Sequence, residues 1–307
     1  MKKITIIVPC YNEEASLNLF YDEIVKWINY EQYQMDLMFV NDGSRDKTLE
    51  ILRELSKKDE RVHYISLSRN FGKESAMHAG LERCKDCDAI IMMDADLQHP
   101  PHLIPQMIKY WEEGYNLIYT TFKTRKGEPL LKRFFARCFY KLFDMTSDIH
   151  LDNGAKDYQL LDKKVVNAFL QLPDNNRFMK GIFSWVGYKK ICIPFEYVDR
   201  QAGKTTWNFK KLFKYGWNGV NQFSNILSIL PSIMMFLIFG VFVTETVFFF
   251  MDKITLFTYL TQAKIDVFAF MIMFIFKAMF YLMYNMRRQI MNRPIYLVEE
   301  TEQDEKH

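Results

Sequence analysis

The sequence lacks several features that would place it in a common class of protein. It has no strong excess of charge, because 40 Lys and Arg against 37 Asp and Glu leave a net charge of +3 in 307 residues, too little to indicate a nucleic-acid partner. Its 5 cysteines are odd in number and scattered, which argues against a disulfide framework and for a reducing compartment. No G-x-G-x-x-G follows the first strand-like segment, so a dinucleotide-dependent dehydrogenase is disfavoured.

Two short segments resemble targeting or metal motifs only in part. The apolar run ITIIVPC near the N-terminus is short, is broken by Pro9 and is followed at once by Glu13 and Glu14. It predicts a first β-strand rather than a secretory signal peptide. Cys84 and Cys87 have the spacing of half a zinc site, but no second pair follows, so they are interpreted as small residues at the end of a helix.

The first half of the chain alternates strand-like and helix-like patterns. Leu17, Phe20 and Ile24 form an apolar stripe at helical spacing after the first strand. This order predicts an α/β fold in three layers with a largely parallel sheet. The predicted strands are continuously apolar, as expected of strands covered on both faces: ITIIVPC, MDLMFVND, VHYISLS, AIIMMDAD and NLIYTTF.

Polar residues gather where these strands end, which is where ligands bind in parallel α/β sheets. Asp94, Asp96 and Gln98 follow the fourth strand. In an extended segment these three side chains point the same way and offer hard oxygen ligands suited to Mg²⁺ or Mn²⁺. A D-x-D alone is common, and its usual structural explanation is a loop cap. His99 and His102, beside prolines, are expected to be solvated loop residues.

After the α/β region, the alternation of strands and helices gives way to amphipathic and long apolar segments. From Pro129 to Phe143, apolar pairs recur every four residues, while Arg133, Arg137 and Lys141 recur on another face. This basic amphipathic helix, about 129–145, suits a membrane surface, and packing on the sheet is the alternative. A second stretch, 208–226, mixes aromatic residues with lysines and predicts an interfacial juxtamembrane helix.

Two long apolar segments follow, at 228–251 and 265–285, each long enough to span a bilayer. Three arginines after the second segment predict that residues 286–307 form a cytoplasmic tail. Two spans return the chain to its starting side, so residues 1–207 are predicted to form a cytoplasmic domain, with both termini on that side of an inner or plasma membrane. Glu245 and Lys277 are expected to pair with each other or to face a neighbouring subunit.

Seven motifs together resemble the family 2 glycosyltransferases with a GT-A fold, and among them the bacterial polyprenyl-phosphate (bactoprenol) glycosyltransferases, related to dolichyl-phosphate mannose synthase. Their order and spacing, followed by two apolar segments, carry the resemblance over the chain up to about residue 300. The motifs are IVPCYNEEASL, VNDGSRDKT, SRNFGKESAMHAGL, MDADLQHPP, DYQLLDKKVV, NRFMKGIFSWVGY and RQAGKTTWNF.

The resemblance implies roles for particular residues of this sequence. Asp157, Asp96 and Arg200 match catalytic positions, with Asp157 expected to orient groups more than to remove a proton. Arg133 and Arg137 are expected, from their pattern, to meet a lipid phosphate at the membrane surface. Several relatives have an acidic residue or Ser where this chain has Lys204-Thr205, so this loop departs from the family's pattern. The metal set is Asp94, Asp96 and Gln98, and the nucleotide-sugar-binding set is Pro9, Tyr11, Glu13, Asp42, Lys73, Asp94 and Lys204.

The implied function is that of an inverting glycosyltransferase dependent on Mg²⁺ or Mn²⁺. It would move a hexose, with glucose as first choice, from a UDP-sugar to polyprenyl phosphate in the bilayer, giving a lipid-linked sugar for cell-envelope glycans. The resemblance also implies a homo-oligomer, a tetramer. Two alternatives stay open: a processive polysaccharide synthase, although no Q-x-x-R-W motif is present, and an inactive membrane scaffold or sugar-nucleotide sensor.

Overall fold

The computed structural model describes residues 1–123, 154–172 and 178–196 without interruption, positions within 140–152 and 295–303, and isolated positions between 216 and 286. Eight strands are described: β1 (Lys2–Cys10), β2 (Tyr33–Asn41), β3 (Val62–Leu67), β4 (Ala89–Met92), β5 (Leu117–Phe122), β6 (Ala155–Asp162), β7 (Lys190–Phe195) and β8 (Val298–Thr301). The described helices of seven residues or more are α1 (Leu17–Ile24), α2 (Thr48–Lys58), α3 (Lys73–Arg83), α4 (Ile104–Glu112), α5 (Lys163–Leu170) and α6 (Met179–Trp185).

All eight strands form one sheet in the order β7-β5-β6-β4-β1-β2-β3-β8. The pairs β1–β2, β1–β4, β2–β3 and β5–β7 are parallel, whereas β6 runs antiparallel to both β4 and β5. The predicted α/β fold with a mostly parallel sheet is therefore confirmed. Because β6 is reversed, the start of β6 lies at the same edge of the sheet as the end of β4.

Helices cover both faces of the sheet, and each face has its own apolar core. Ile6 and Val8 of β1 pack toward α1, α2 and α4, whereas Ile7 packs toward α3, α5 and α6. The predicted stripe of α1 is buried as expected. Alternate residues of β1 thus face opposite cores, which explains why the strand reads as a continuous apolar run.

The strand β8 was not predicted from the sequence. It pairs antiparallel with β3 and so forms one edge of the sheet. Glu300 of β8 accepts hydrogen bonds from the Arg53 guanidinium and from the buried Tyr64 hydroxyl. This pairing covers an edge strand, whose backbone groups would otherwise lack partners within the sheet.

The end of the predicted basic helix packs on the α/β domain. Phe143 is fully buried against Leu151 and Phe178, with Tyr140 beside them. Arg133 and Arg137 lie outside the described residues, as do segment 228–251 and most of segments 208–226 and 265–285. Among the residues that the structure does describe, no helix is both long and apolar enough to cross a membrane.

Replacing Glu300 by Ala tests whether β8 stabilises the domain. The change removes the carboxylate that accepts from Arg53 and from the Tyr64 hydroxyl, and a hydrogen bond to a charged group contributes about 1.5–3 kcal/mol. We expect the thermal unfolding midpoint of the detergent-solubilised chain to fall. Glu299→Ala is the matched control, because Glu299 is exposed on the same strand. Equal midpoints for the two variants would contradict a stabilising role for this contact.

Candidate active site

Parallel pairing brings the ends of β1, β2 and β4 to one edge of the sheet. The Asp42 backbone N–H donates to the Cys10 carbonyl at 2.8 Å, and the Met93 N–H donates to the Ile7 carbonyl at 3.1 Å. The polar segments that follow these strands therefore lie side by side, as the sequence analysis expected.

The loop after β1 is fixed by the loop before α2. Asn12 adopts a positive φ of 55°, and its backbone N–H donates to the Ser44 hydroxyl at 3.0 Å. The Glu13 N–H donates to the Thr48 hydroxyl at 2.8 Å. Part of the Glu13 carboxylate is engaged locally, because the Ser16 hydroxyl donates to it. Pro9 and Tyr11 are half-buried beside this loop.

Asp42 is almost completely buried, at 3% exposure, and binds the loop before α3. Its carboxylate accepts the backbone N–H groups of Phe71 at 2.7 Å and Gly72 at 2.9 Å. Gly43 makes this close approach possible: its φ is +60°, and a Cβ there would lie 2.3 Å from the Arg69 carbonyl carbon. Burial raises the pKa of Asp42 to about 6, although the two N–H donors favour its anion.

The D-x-D segment is a turn, not an extended strand. The strand β4 ends at Met92, and Leu97 has a positive φ of 59°. The prediction that Asp94, Asp96 and Gln98 share a side by strand alternation was therefore wrong. A turn places them instead, in which the Gln98 N–H donates to the Asp96 carboxylate at 3.1 Å.

His99 is a structural member of the site that the sequence analysis missed. It was expected to be solvated, but it is 6% exposed and stacks on Tyr158 with 5.1 Å between ring centroids. Its Nδ1 accepts the backbone N–H of Asp94 at 3.0 Å. Burial lowers the pKa of His99, which agrees with the neutral ring that this acceptor role requires. His99 therefore positions the backbone that carries Asp94.

Lys73 joins two carboxylates, one in the turn after β4 and one on the neighbouring antiparallel strand β6. Its Nζ lies 2.7 Å from Asp94 Oδ1 and 2.6 Å from Asp157 Oδ2. A second ammonium, that of Lys180 in α6, lies 3.8 Å from Asp157 Oδ1. Burial favours the neutral form of Asp157, but the charges of Lys73 and Lys180 hold its pKa well below the ordinary range. Asp157 is therefore an anion and a very weak base at neutral pH.

The described residues fit a divalent cation by the chemistry of their donors. They contain no group of three His, Cys, Asp or Glu arranged to hold a metal. Magnesium, however, is usually bound by one or two carboxylates, with water and substrate phosphate completing the shell. Asp94 and Asp96 are two such carboxylates. Asp94 already binds one cation, because the Lys73 ammonium nitrogen lies 2.7 Å from its Oδ1 and 2.9 Å from its Oδ2.

The structure thus brings together four of the residues predicted from the sequence: Asp42, Lys73, Asp94 and Asp157. Asp96 follows Asp94 in the same turn and accepts from the Gln98 N–H. Arg200 and Lys204 lie outside the described residues. Besides His99, the analysis missed Lys180, although the motif NRFMKGIFSWVGY contains it. One feature of the sequence could have indicated Lys180. It is a charged residue at the start of an otherwise apolar helix, and a charge that packs next to the sheet needs a partner of opposite charge.

The raised pKa of Asp42 predicts a pH dependence of stability. An acid whose folded-state pKa exceeds its unfolded value stabilises the fold in its neutral form. This contribution is complete below the unfolded pKa, near 4, and is lost as the pH rises through about 6. The rise of roughly two pKa units corresponds to at most about 3 kcal/mol. We expect Asp42→Asn to flatten the fall in unfolding free energy between pH 4 and pH 6.

The control for this measurement is Asp22→Asn, since Asp22 is exposed on α1 and should leave the slope unchanged. An unaltered slope in Asp42→Asn would mean that another group causes the dependence.

Comparisons with known proteins agree with this geometry. The model of the family described as Glycosyl transferase family 2 matches residues 5–170. An uncharacterized glycosyltransferase of Synechocystis is 39% identical over 222 residues, which cover 72% of this chain and 70% of the relative. The bactoprenol glucosyl transferase of Shigella phage SfX is 36% identical, over 72% of both chains.

Among solved structures, glucosyl-3-phosphoglycerate synthase from Mycobacterium tuberculosis in complex with uridine diphosphate is similar with a TM-score of 0.48 and 15% identity, over 72% of this chain and 79% of that one. That similarity is too distant to bear on the chemistry here. The family model covers more than half of the chain, and the relatives are well above 30% identical over most of it. This chain belongs to glycosyl transferase family 2 and has the family's GT-A α/β fold.

Proposed function

We propose that this enzyme transfers glucose from UDP-glucose to the phosphate of a polyprenyl lipid, with inversion at the anomeric carbon. The observation that carries the proposal is the contact of Asp94, Lys73 and Asp157 at the ligand-binding edge of the sheet. The choice of acceptor and sugar draws on the names of relatives, which include bactoprenol glucosyl transferases.

On the donor side, the loops after β1 and β2 form a rigid floor for the nucleotide. Asp42 and the backbone near Tyr11 are fixed by the hydrogen bonds described above, so they can bind base and ribose without further ordering. Asp94 and Asp96 would hold Mg²⁺ or Mn²⁺, which when bound neutralises the diphosphate that leaves with UDP. Arg200 and Lys204 remain proposed phosphate contacts.

On the acceptor side, the nucleophile needs little deprotonation. A phosphate monoester has a second pKa of about 6, so its oxygen is already largely anionic at neutral pH. That oxygen forms the new bond to C1 of the sugar, and the C1–O bond to UDP breaks with its electrons leaving on UDP. Asp157, held as an anion, is a poor base but a good orienting group. Lys73 and Lys180 offset the repulsion between Asp157 and the incoming phosphate.

We also propose that the enzyme acts at the cytoplasmic face of an inner or plasma membrane, through segments 228–251 and 265–285, as a homo-oligomer. The described positions of the second segment support this: their exposed apolar side chains recur at helical spacing, as on a face that meets lipid or protein. Those side chains are Phe268, Ile272, Ile275, Met279, Leu282 and Met283. Arg133 and Arg137 are proposed to meet the anionic surface beside it.

Asp96→Asn tests the metal proposal. The change removes a charge but keeps the shape, and we expect transfer from UDP-glucose to undecaprenyl phosphate to fall at least about a hundredfold. Chelator should abolish transfer by the unmodified enzyme, and Mg²⁺ or Mn²⁺ should restore it. Asp22→Asn is the control and should keep full activity. Full transfer in excess chelator would remove the metal from the mechanism.

Asp157→Asn tests the acceptor chemistry. We expect turnover to fall while UDP binding, measured by calorimetry, stays within about twofold, because Asp157 contacts no part of the proposed nucleotide floor. The pH–rate profile of both proteins should follow ionisation of the acceptor, near pH 6. If the variant instead lost UDP binding, Asp157 would be a donor-site residue.

A further inference from the structure

Cys84 and Cys87 lie at the two ends of the turn that joins α3 to β4. Cys84 caps the C-terminal end of α3, and Cys87 comes two residues before β4 begins. The Cys87 backbone N–H donates to the Cys84 carbonyl at 3.0 Å, which closes a four-residue turn. Such a turn brings its first and last Cα atoms within about 7 Å, and a disulfide needs Cα atoms about 4.4–6.8 Å apart. The backbone therefore holds the two cysteines at about the separation that a disulfide requires.

The two side chains lie just beneath the protein surface. Each cysteine is 5% exposed, whereas Lys85 and Asp86 between them are exposed. Both cysteines are free thiols in the structure. Because so little of either residue meets solvent, a reagent that reaches the sulfurs in the folded protein must be small.

Polar groups around Cys87 favour its thiolate. The Thr5 hydroxyl, in the central strand β1, lies 3.0 Å from the Cys87 sulfur and is 2% exposed. A hydrogen bond from the Cys84 thiol is the main cause that lowers the pKa of Cys87, and the Thr5 hydroxyl and the Lys3 ammonium add to it, against the opposing effects of burial and of Asp36. The same contact, together with burial, raises the pKa of Cys84. Cys87 is therefore the nucleophile of the pair, and Cys84 keeps its proton.

Two other described cysteines differ from this pair and serve as internal references. Cys10 is 1% exposed, donates to the Val8 carbonyl at 3.4 Å, and has its pKa raised by burial. Cys192, on β7, is half-buried and so is more exposed than either member of the pair; its sulfur lies 3.3 Å from the Thr121 hydroxyl. If exposure alone decided reactivity, Cys192 would react before Cys84 and Cys87.

We propose that Cys84 and Cys87 form a redox-active dithiol, which hydrogen peroxide converts to a disulfide. The Cys87 thiolate attacks one peroxide oxygen, the O–O bond breaks, and the hydroxide that leaves takes up a proton from solvent to become water. The Cys84 sulfur then attacks the Cys87 sulfenic acid. The S–S bond forms, the S–O bond breaks, and the second hydroxide leaves as water with the Cys84 proton. Two electrons thus pass from the two thiols to the peroxide.

The disulfide would close the turn between α3 and β4 covalently. These two elements lead, at their other ends, to Lys73 and to the D-x-D turn of the candidate active site. In a reducing compartment the pair stays a dithiol, and disulfides formed there are usually transient. This chemistry does not depend on which sugar or acceptor the enzyme uses.

The test follows each cysteine of the full-length, detergent-solubilised protein during treatment with hydrogen peroxide. Remaining thiols are alkylated at intervals, and the peptides are identified by mass spectrometry. Cys84 and Cys87 should lose alkylation together, at least about tenfold faster than Cys192, because a thiolate reacts and a thiol does not. Their peptides should be found linked by a disulfide, and dithiothreitol should restore both thiols. In urea the advantage over Cys192 should disappear, since it comes from the folded environment.

Single substitutions separate the two roles. In Cys84→Ser, Cys87 should still react rapidly, but without a second sulfur it should proceed to sulfinic acid, which dithiothreitol does not reverse. In Cys87→Ser, Cys84 should react slowly because its proton is retained. Cys192→Ser is the matched control and should form the disulfide at the unmodified rate.

Three results would overturn the inference, and the unmodified protein alone can give each of them. Cys84 and Cys87 could remain open to alkylation after Cys192 has been oxidised. They could be oxidised to separate sulfinic acids without a disulfide between them. The disulfide could also form equally fast in urea, which would mean that the fold does not activate the pair.

Discussion

The site depends on a lysine placed between two carboxylates. Asp94, in the turn after β4, and Asp157, on the antiparallel neighbour β6, both contact the Lys73 ammonium. Without a cation between them, two half-buried carboxylates this close would repel each other. The Lys73 ammonium offsets that repulsion. Its position comes from the start of α3, where the preceding residue, Gly72, donates its N–H to Asp42. The loops proposed to bind the nucleotide and the proposed reacting centre are therefore parts of one connected network.

The buried Asp42 and the half-buried Asp157 of this network have pKa values shifted in opposite directions. Asp42 has two backbone N–H donors but no cation, and burial raises its pKa to about 6. Asp157 has two ammonium groups, which hold its pKa far below the ordinary range. Asp157 stays charged whatever the pH of the cell, as an orienting group should. A strong proton acceptor would need the reverse environment, and none is required when the nucleophile is a phosphate oxygen.

The sequence predicted the layers of the fold well because burial on both faces leaves a continuous apolar run, which β1 and β2 show clearly. It also predicted that polar strand ends would meet. It failed where local geometry or distant contacts decide. No residue type near Leu97 indicates a positive φ, so the turn after β4 was predicted to be an extension of the strand. The burial of His99 was missed because it depends on Tyr158, which lies 59 positions later in the chain. The strand β8 was missed because it is short and polar and has no apolar pattern.

The late position of β8 has a consequence for how the protein is made. Arg53 and Glu300 are 247 positions apart, so the edge of β3 cannot gain this partner until residues 298–301 have been made. During synthesis the catalytic sheet must wait with an open edge, and such edges recruit strands from other chains. The stretch still to be made includes both long apolar segments. Until β8 is made the edge of β3 stays open, so a chain that stops within these segments exposes a strand edge that can pair with other chains.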